Sequence, residues 1–247
     1  MVNLPIEFSD KAVTPFGGLS LMKRFLDKVG IREYLKSIAL PQPGSNRGFS
    51  PDVIIESFWL SIWTGASRYI HCDWLRYDTV LQQIFGITTM PSQSTYSRFF
   101  NKFSQKLNGE IFPPLQKWFF TQLDFDNITV DFDSTVISRY GSQDGSEKGY
   151  NPNKRGRNSH HPLMAFVSQT KMVANAWLRP GNTAASSNCV AFMRETFDEC
   201  LKDKKVGLVR ADSGFYTEEI MTYLDEQKKN YIIAVRMYPN VKSSVWG

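Results

Sequence analysis

Three aspartates lie where two predicted strands of the chain could bring them together. Asp131 and Asp133 stand two positions apart in Ile128–Ile137, a β-branched run without Gly or Pro that is typical of a strand. Because side chains alternate along a strand, both carboxylates share one face. Asp212 follows directly after a second predicted strand, Val206–Ala211. If these strands are neighbours, Asp133 and Asp212 converge although they are far apart along the chain.

Converging carboxylates suit Mg²⁺ or Mn²⁺, which are hard cations that prefer oxygen ligands. Two such ions about 4 Å apart can activate an attacking oxygen and stabilise a leaving one in phosphodiester chemistry. Spacing alone leaves two ordinary roles open. Asp133 could cap the strand or form a structural ion pair, and Asp212 could close an Asx turn, because Asp-Ser-Gly is favourable turn chemistry.

Positive charge is concentrated in one segment of the chain. The net charge is +5, and residues 146–180 hold six basic residues against one acid, so this stretch accounts for the whole excess. The segment is rich in Gly, Asn and Pro. It indicates either a solvated basic loop or a surface that grips a phosphate backbone.

Composition narrows the class of protein. A chain of 247 residues with 42% hydrophobic residues can build one large domain or two smaller ones. No run approaches the roughly 20 apolar residues of a membrane span. Cys72, Cys189 and Cys200 are far apart and lack CxxC spacing. They indicate reduced thiols in a cytoplasmic protein rather than a zinc site or a disulfide framework.

Residues 1–122 are predicted to form a helical region for DNA binding or dimerisation. Apolar residues at helical spacing, with Pro and Gly at the ends, predict helices at Leu19–Ile38, from Pro51 to Gly65, at Cys72–Phe85 and at Ser92–Phe103. The last two could form a helix-turn-helix around the Gly86–Met90 turn, with Arg98 available for DNA, although an ordinary helical hairpin is the alternative. Pro113-Pro114 predicts an interruption after them.

Residues 123–247 are predicted to form an α/β domain. The order β-β-β-α-β-α-β implies a mixed sheet with helices on its faces. The further strands are Leu163–Gln169, Val173–Leu178 and Tyr231–Val235, and the helices are Ser187–Leu201 and Thr217–Lys228. No helix is expected after the last strand.

Several motifs occur in a fixed order along this domain. They are Val-Asp-Phe-Asp-Ser-Thr-Val at 130–136, Tyr-Asn-Pro-Asn-Lys-Arg-Gly-Arg-Asn-Ser-His-His-Pro-Leu at 150–163, Arg-Pro-Gly-Asn-Thr at 179–183 and Arg-Ala-Asp-Ser-Gly-Phe-Tyr at 210–216. Together they resemble the DDE-type transposases of bacterial insertion sequences. Two N-terminal stretches, at 43–51 and 91–100, look like the same group, so the resemblance covers nearly the whole chain.

The resemblance implies an RNase H-like catalytic core that uses Mg²⁺ or Mn²⁺. Its first two acids match Asp133 and Asp212. Asp133 is preferred over Asp131 because members of the group place the acid directly before Ser or Thr, as in Asp133-Ser134. Asp131 is the alternative first acid and metal ligand.

The same resemblance implies a third acid, a Glu on a helix beyond a further insertion. Glu218 and Glu219 come too early for this role, and no matching signature follows. The core is therefore expected to be incomplete at its C-terminus, in a truncated transposase of little or no activity. The alternative is a non-catalytic DNA-binding chain that inhibits transposition.

The resemblance also implies the partners. Double-stranded DNA, as element ends and target, is expected to bind a homodimer, with no membrane and no small-molecule substrate. Besides Arg98, the residues expected to contact DNA lie in the basic segment: Lys154, Arg155, Arg157, Ser159, His160 and His161. The two histidines have no partner at zinc spacing.

Overall fold

The N-terminal part of the chain folds into short helices because its apolar residues recur at helical spacing. A computed structural model describes residues 10–45 and 47–246, with the side chains of Asn240 and Trp246 left out. Contacts divide the chain into two units, residues 1–111 and 112–247. The described helices of the first unit are α1 (Leu19–Val29), α2 (Ile31–Ser37), α3 (Pro51–Trp63), α4 (Tyr69–Cys72), α5 (Thr79–Phe85) and α6 (Gln93–Phe100).

Two helices predicted as continuous are divided. Gly30 has a left-handed backbone (φ 70°), so the predicted helix 19–38 ends as α1 and restarts as α2. The predicted helix 72–85 begins earlier and passes through a 3₁₀ segment, Asp73–Tyr77. Asp78 then caps α5 by accepting a bond from the Leu81 N–H.

The core of the first unit is aromatic. Tyr96 on α6 is fully buried, and its hydroxyl donates to Ser57 Oγ at 3.0 Å. The Phe58 ring lies 5.6 Å from the Tyr96 ring and 4.8 Å from the Phe100 ring. Burial raises the pKa of Glu56, and the ion pair with Arg32 opposes that shift.

Helix α7 (Gln105–Thr121) runs through Pro113-Pro114, so the predicted interruption is wrong. Each proline removes one backbone donor, but most helical stability in a protein comes from tertiary packing. Ile111 and Leu115, on either side of the pair, are buried and hold the helix where those hydrogen bonds are missing.

The second unit contains a five-stranded mixed sheet in the order β6-β5-β1-β7-β8. Its strands are β1 (Ile128–Ser134), β5 (Leu163–Val167), β6 (Met172–Trp177), β7 (Val206–Ala211) and β8 (Tyr231–Ile233). β5 is antiparallel to both neighbours, whereas β7 is parallel to β1 and β8. This is the arrangement of RNase H-like sheets, and it confirms the predicted fold class.

Helices α8 (Cys189–Glu195) and α9 (Glu218–Glu226) follow β6 and β7 as predicted. The inward face of β1 packs on α8 and on the helical turn Thr196–Cys200 that follows it. The Phe132 ring lies 5.9 Å from the Phe192 ring and 5.8 Å from the Phe197 ring. The aspartates of β1 therefore lie on the other face of the sheet.

Two further elements were not predicted. The chain between β1 and β5 forms a small sheet in the order β2-β4-β3, with β2 (Ile137–Ser138), β3 (Glu147–Lys148) and β4 (Asn158–His160). The expectation of no helix after the last strand is wrong, because α10 (Pro239–Trp246) follows it. Its start at a proline is typical of a first helical turn.

The three cysteines are free thiols, all buried. Burial raises the pKa of Cys189 and that of Cys200 to about 12, so both stay protonated near neutral pH. No helix in the described part of the chain is long and apolar enough to span a membrane.

Gly181 anchors the small sheet through close backbone packing. A Cβ placed there would lie 2.2 Å from Ser159 Oγ and 2.5 Å from the carbonyl oxygen of Glu147. Such distances force the neighbouring strands apart, so only glycine fits.

Gly181→Ala should lower the melting temperature measured by thermal denaturation, because overpacking typically reduces the free energy of unfolding by about 1–3 kcal/mol. Gly109→Ala is the matched control, because its Cβ would meet nothing within 4 Å on α7. The control should be neutral or stabilising, since Ala favours helix more than Gly. An unchanged melting temperature for Gly181→Ala would contradict the packing argument.

Candidate active site and nucleic-acid interface

Asp133 and Asp212 lie side by side at the carboxyl ends of β1 and β7. The last paired residues of these parallel strands are Phe132 and Ala211, and each aspartate is the next residue along its strand. Neighbouring strands are about 4.8 Å apart. Both aspartates are exposed. The predicted convergence of the two strands is thus confirmed.

Asp131 has a different environment from Asp133. Its carboxylate accepts two hydrogen bonds from Arg210, from Nε at 2.6 Å and from Nη2 at 2.7 Å. Arg210 also donates to Ser168 Oγ at 2.9 Å. Because this bidentate pair occupies both oxygens of Asp131, its geometry is that of a structural ion pair.

The ion pair also shows where the other carboxylates point. Asp131 and Arg210 are partners in the register and meet on one face of the sheet. Asp133 and Asp212 each follow two positions later, so strand alternation places both on that same face.

A backbone N–H group orients each of the two exposed carboxylates. Asp133 Oδ1 accepts from Ser134 N at 2.7 Å, and Asp212 Oδ1 accepts from Gly214 N at 2.8 Å. The second bond is the Asx turn that Asp-Ser-Gly allowed. The turn and a ligand role are compatible, because a carboxylate has a second oxygen.

The donor set fits a hard divalent cation. Mg²⁺ is commonly held by one or two carboxylates, with water and substrate phosphates completing its octahedron. Asp133 and Asp212 offer two such carboxylates at one strand edge. Within the described ranges, no group of three His, Cys, Asp or Glu side chains is placed to hold a metal ion.

His161 supports the strand end that carries Asp133. Its Nδ1 lies 2.6 Å from the carbonyl oxygen of Thr183, so Nδ1 carries a proton. In the neutral ring, Nε2 then accepts from Ser134 Oγ at 3.2 Å. Buried Arg179 donates from Nε to the backbone oxygen of His161 at 3.0 Å. The ring therefore links β1 to the loop after β6.

His160 is turned into the protein in a similar way. Arg139 Nε donates to its Nδ1 at 2.8 Å, and its Nε2 lies 3.1 Å from the carbonyl oxygen of Asp144. An arginine can only donate, so the proton of the neutral ring lies on Nε2. Both histidines are buried, and so is Ser159, whose Oγ has no hydrogen-bond partner among the described residues.

The remaining residues predicted to contact DNA are exposed. Three of them, Lys154, Arg155 and Arg157, lie on the segment between β2 and β5, residues 139–162, which we call the excursion. Arg98 lies on α6 in the first unit. The basic segment thus divides into a solvent-facing set of cations and a buried set of polar side chains.

Arg210 was missed by sequence reasoning. Arg210 precedes Asp212 by two positions, just as Asp131 precedes Asp133. On neighbouring parallel strands this matched spacing predicts a cross-strand pair, so the signal was available. No comparable signal reveals that His160 and His161 are buried.

Asp131→Asn should lower the melting temperature in EDTA, because it weakens the bonds to Arg210. Asp133→Asn and Asp212→Asn should leave it unchanged or raise it, since each removes one of two neighbouring like charges while Oδ1 still accepts its N–H bond. Differential scanning fluorimetry at low salt measures the three shifts. Equal losses in all three variants would contradict the distinction drawn between the aspartates.

Comparison with known proteins assigns the family. A family model described as transposase DDE domain group 1 matches residues 2–245. No curated protein matches the chain. The chain is similar to a simian T-cell lymphotropic virus intasome in complex with PP2A regulatory subunit B56 gamma, with a TM-score of 0.32 and 9% identity over 49% of this chain and 37% of that chain.

Two transposase structures are also similar. A piggyBac transposase synaptic complex with hairpin DNA has a TM-score of 0.44 and 13% identity, over 93% of this chain and 53% of that one. The Mos1 mariner paired-end complex with Mn has a TM-score of 0.32 and 10% identity, over 92% and 80%. The chain thus spans 37% of the intasome chain and 53% of the piggyBac chain. The match to the family model extends over nearly the whole sequence, and the chain belongs to the DDE domain group 1 transposases.

Proposed function

We propose that this chain acts in metal-dependent cleavage and strand transfer of a bacterial insertion sequence, with Asp133 and Asp212 as catalytic carboxylates. The observation that carries the proposal is their position at adjacent ends of the parallel strands β1 and β7, on one face of the sheet. Ligands of open α/β sheets gather at such carboxyl ends. The family assignment supports DNA transposition as the setting.

Each residue of the site has a distinct task in this proposal. When bound, Mg²⁺ or Mn²⁺ supplies Lewis-acid activation of the attacking oxygen and stabilises the leaving one. Asp133 and Asp212 would hold the ion at the carboxyl ends of β1 and β7, while the N–H groups of Ser134 and Gly214 keep the carboxylates in place. The nucleophiles are water and then a DNA 3′-OH, so no side chain forms a covalent bond with DNA. Asp131 stays paired with Arg210 and is the alternative ligand.

Mn²⁺ should raise the melting temperature of the unmodified chain and of Asp131→Asn, because an ion bound to the folded state stabilises it by mass action. Asp133→Asn and Asp212→Asn should lose this shift, and with it any Mn²⁺-dependent nicking of plasmid DNA. A shift that survives in both variants, or one lost in Asp131→Asn alone, would overturn the assignment of the ligands.

The exposed cations support double-stranded DNA as the partner. Lys154, Arg155 and Arg157 face solvent on the basic excursion, where they can neutralise phosphates. Arg98 on α6 adds a contact from the helical region, residues 1–122, for which we propose DNA binding and dimerisation. Ser159, His160 and His161 are buried, and in this proposal they position the DNA-binding surface from beneath.

Arg155→Ala with Arg157→Ala should weaken DNA binding and flatten its salt dependence, by about one unit of the log–log slope for each phosphate that the variant no longer neutralises. Fluorescence anisotropy on one duplex across a range of NaCl concentrations measures both quantities. Lys202→Ala with Lys242→Ala is the matched control, since it removes the same charge from exposed positions of the second unit outside the excursion. An unchanged slope in the arginine variant would refute the assignment.

A homodimer would bring two chains to the two ends of an element, and no small molecule serves as substrate. A cytoplasmic location is proposed as well, and the three free cysteines among the described residues support it.

A second candidate function is a non-catalytic DNA-binding chain that competes for element ends. The observation that favours it is that no third His, Cys, Asp or Glu joins the aspartate pair within the part of the chain that the structure describes. Two carboxylates neutralise less of the charge of two divalent ions and hold them weakly. The Mn²⁺ titration separates the two functions, because DNA binding without a metal-dependent shift or nicking supports only the second.

A further inference from the structure

Tyr140 presents an aromatic ring to solvent from a loop that is fixed at both ends. Its side chain is 63% exposed. Both ends of the loop 139–144 are bonded to the His160 ring. Arg139 Nε donates to His160 Nδ1, and His160 Nε2 donates to the carbonyl oxygen of Asp144. Within the loop, Gln143 Nε2 donates to the Tyr140 carbonyl oxygen at 3.3 Å. The backbone that carries the ring is thus tied to the buried His160 side chain.

Two cations flank this ring. Lys154 Nζ lies 4.5 Å from the ring centroid and contacts the hydroxyl, so it sits at the hydroxyl end of the ring rather than on its face. The Arg157 guanidinium carbon lies 5.2 Å from the centroid. Positive charge therefore stands beside the ring while most of its surface stays open to solvent.

The segment that carries Lys154 is itself tied to the strand before Tyr140. Asn151 Oδ1 accepts from the backbone N–H groups of Asn153 and Lys154, at 3.1 and 2.8 Å. Its Nδ2 donates to Ser138 Oγ at 2.8 Å. The ring and its cation are thus positioned by one connected set of bonds, which lowers the ordering cost of binding a ligand there.

This arrangement is more specific than a phosphate-binding surface. Phosphate contacts need cations but no aromatic face. Bases inside a duplex are stacked on one another, so an exposed ring cannot stack on an internal base pair and needs a base whose face is free, as in a single-stranded tail. Cations beside the ring suit the phosphates on either side of that base.

We propose that Tyr140, with Lys154 and Arg157, is a stacking site for an unpaired nucleotide at a DNA end. The inference rests on the DNA-binding function proposed above and adds the form of DNA that the surface prefers. It predicts tighter binding to a duplex with a short single-stranded tail than to the same duplex with a blunt end.

The test compares these two duplexes by fluorescence anisotropy, using the full chain at one salt concentration. Tyr140→Leu should reduce the preference for the tailed duplex about tenfold, the order expected when one stacked base loses its aromatic partner. Its affinity for the blunt duplex should change little. Tyr140→Trp should keep the preference, and 2-aminopurine placed in the tail should be quenched by the unmodified chain but not by Tyr140→Leu.

Tyr238→Leu is the matched control, because Tyr238 is 53% exposed in the same unit but lies outside the excursion. It should keep the preference, and thermal denaturation should show that all variants fold. An unmodified chain that binds both duplexes equally, or an unchanged preference in Tyr140→Leu, overturns the stacking site while DNA binding stands. Tyr150 is another exposed tyrosine of the excursion, and loss of the preference in Tyr150→Leu but not in Tyr140→Leu would overturn the assignment to Tyr140. Failure to bind either duplex would reject the proposed function and this inference together.

Discussion

The register between β1 and β7 determines which side chains meet at the carboxyl ends of these two inner strands of the five-stranded sheet. Because the strands are parallel and paired residue by residue, Asp131 lies opposite Arg210, and the next residues on that face are Asp133 and Asp212. One cross-strand pair on this face is therefore neutralised as an ion pair, and the next brings two like charges together at the exposed ends of the strands. This contrast between an ion pair and two like charges on one face is the basis for proposing a cation site at these strand ends.

Three buried polar residues, His160, His161 and Arg179, position the exposed residues of the candidate site and of the excursion. His161 joins the end of β1 to the loop after β6, and His160 holds the loop that presents Tyr140. Arg179, also buried, binds the backbone beneath His161. Buried polar groups of this kind rigidify their surroundings when their bonds are made. The outward carboxylates and cations are thereby supported from within.

The sequence predicts the elements of the sheet well and its irregular parts poorly. Alternation and β-branched residues identify the strands, and their order indicates a mixed sheet, because these signals are local. The pairing of β1 with β7 is a long-range contact that the sequence only permits. Strands of two or three residues, such as β3, are too short to show a period. Pattern also does not report burial, so two histidines within a basic segment are predicted to lie at the surface.

Register also decides which changes of length the chain can survive. A one-residue insertion or deletion between Arg210 and Asp212 would turn Asp212 to the opposite face of the sheet, because the side-chain period is two. The loops 139–146 and 149–157 lie between the paired strands of the small sheet, so a change in their length does not reverse any side chain of β1 or β7. Natural variants of this chain should therefore differ in length within these loops and keep the spacing at the two strand ends. An alignment gap would then be as informative as a substitution.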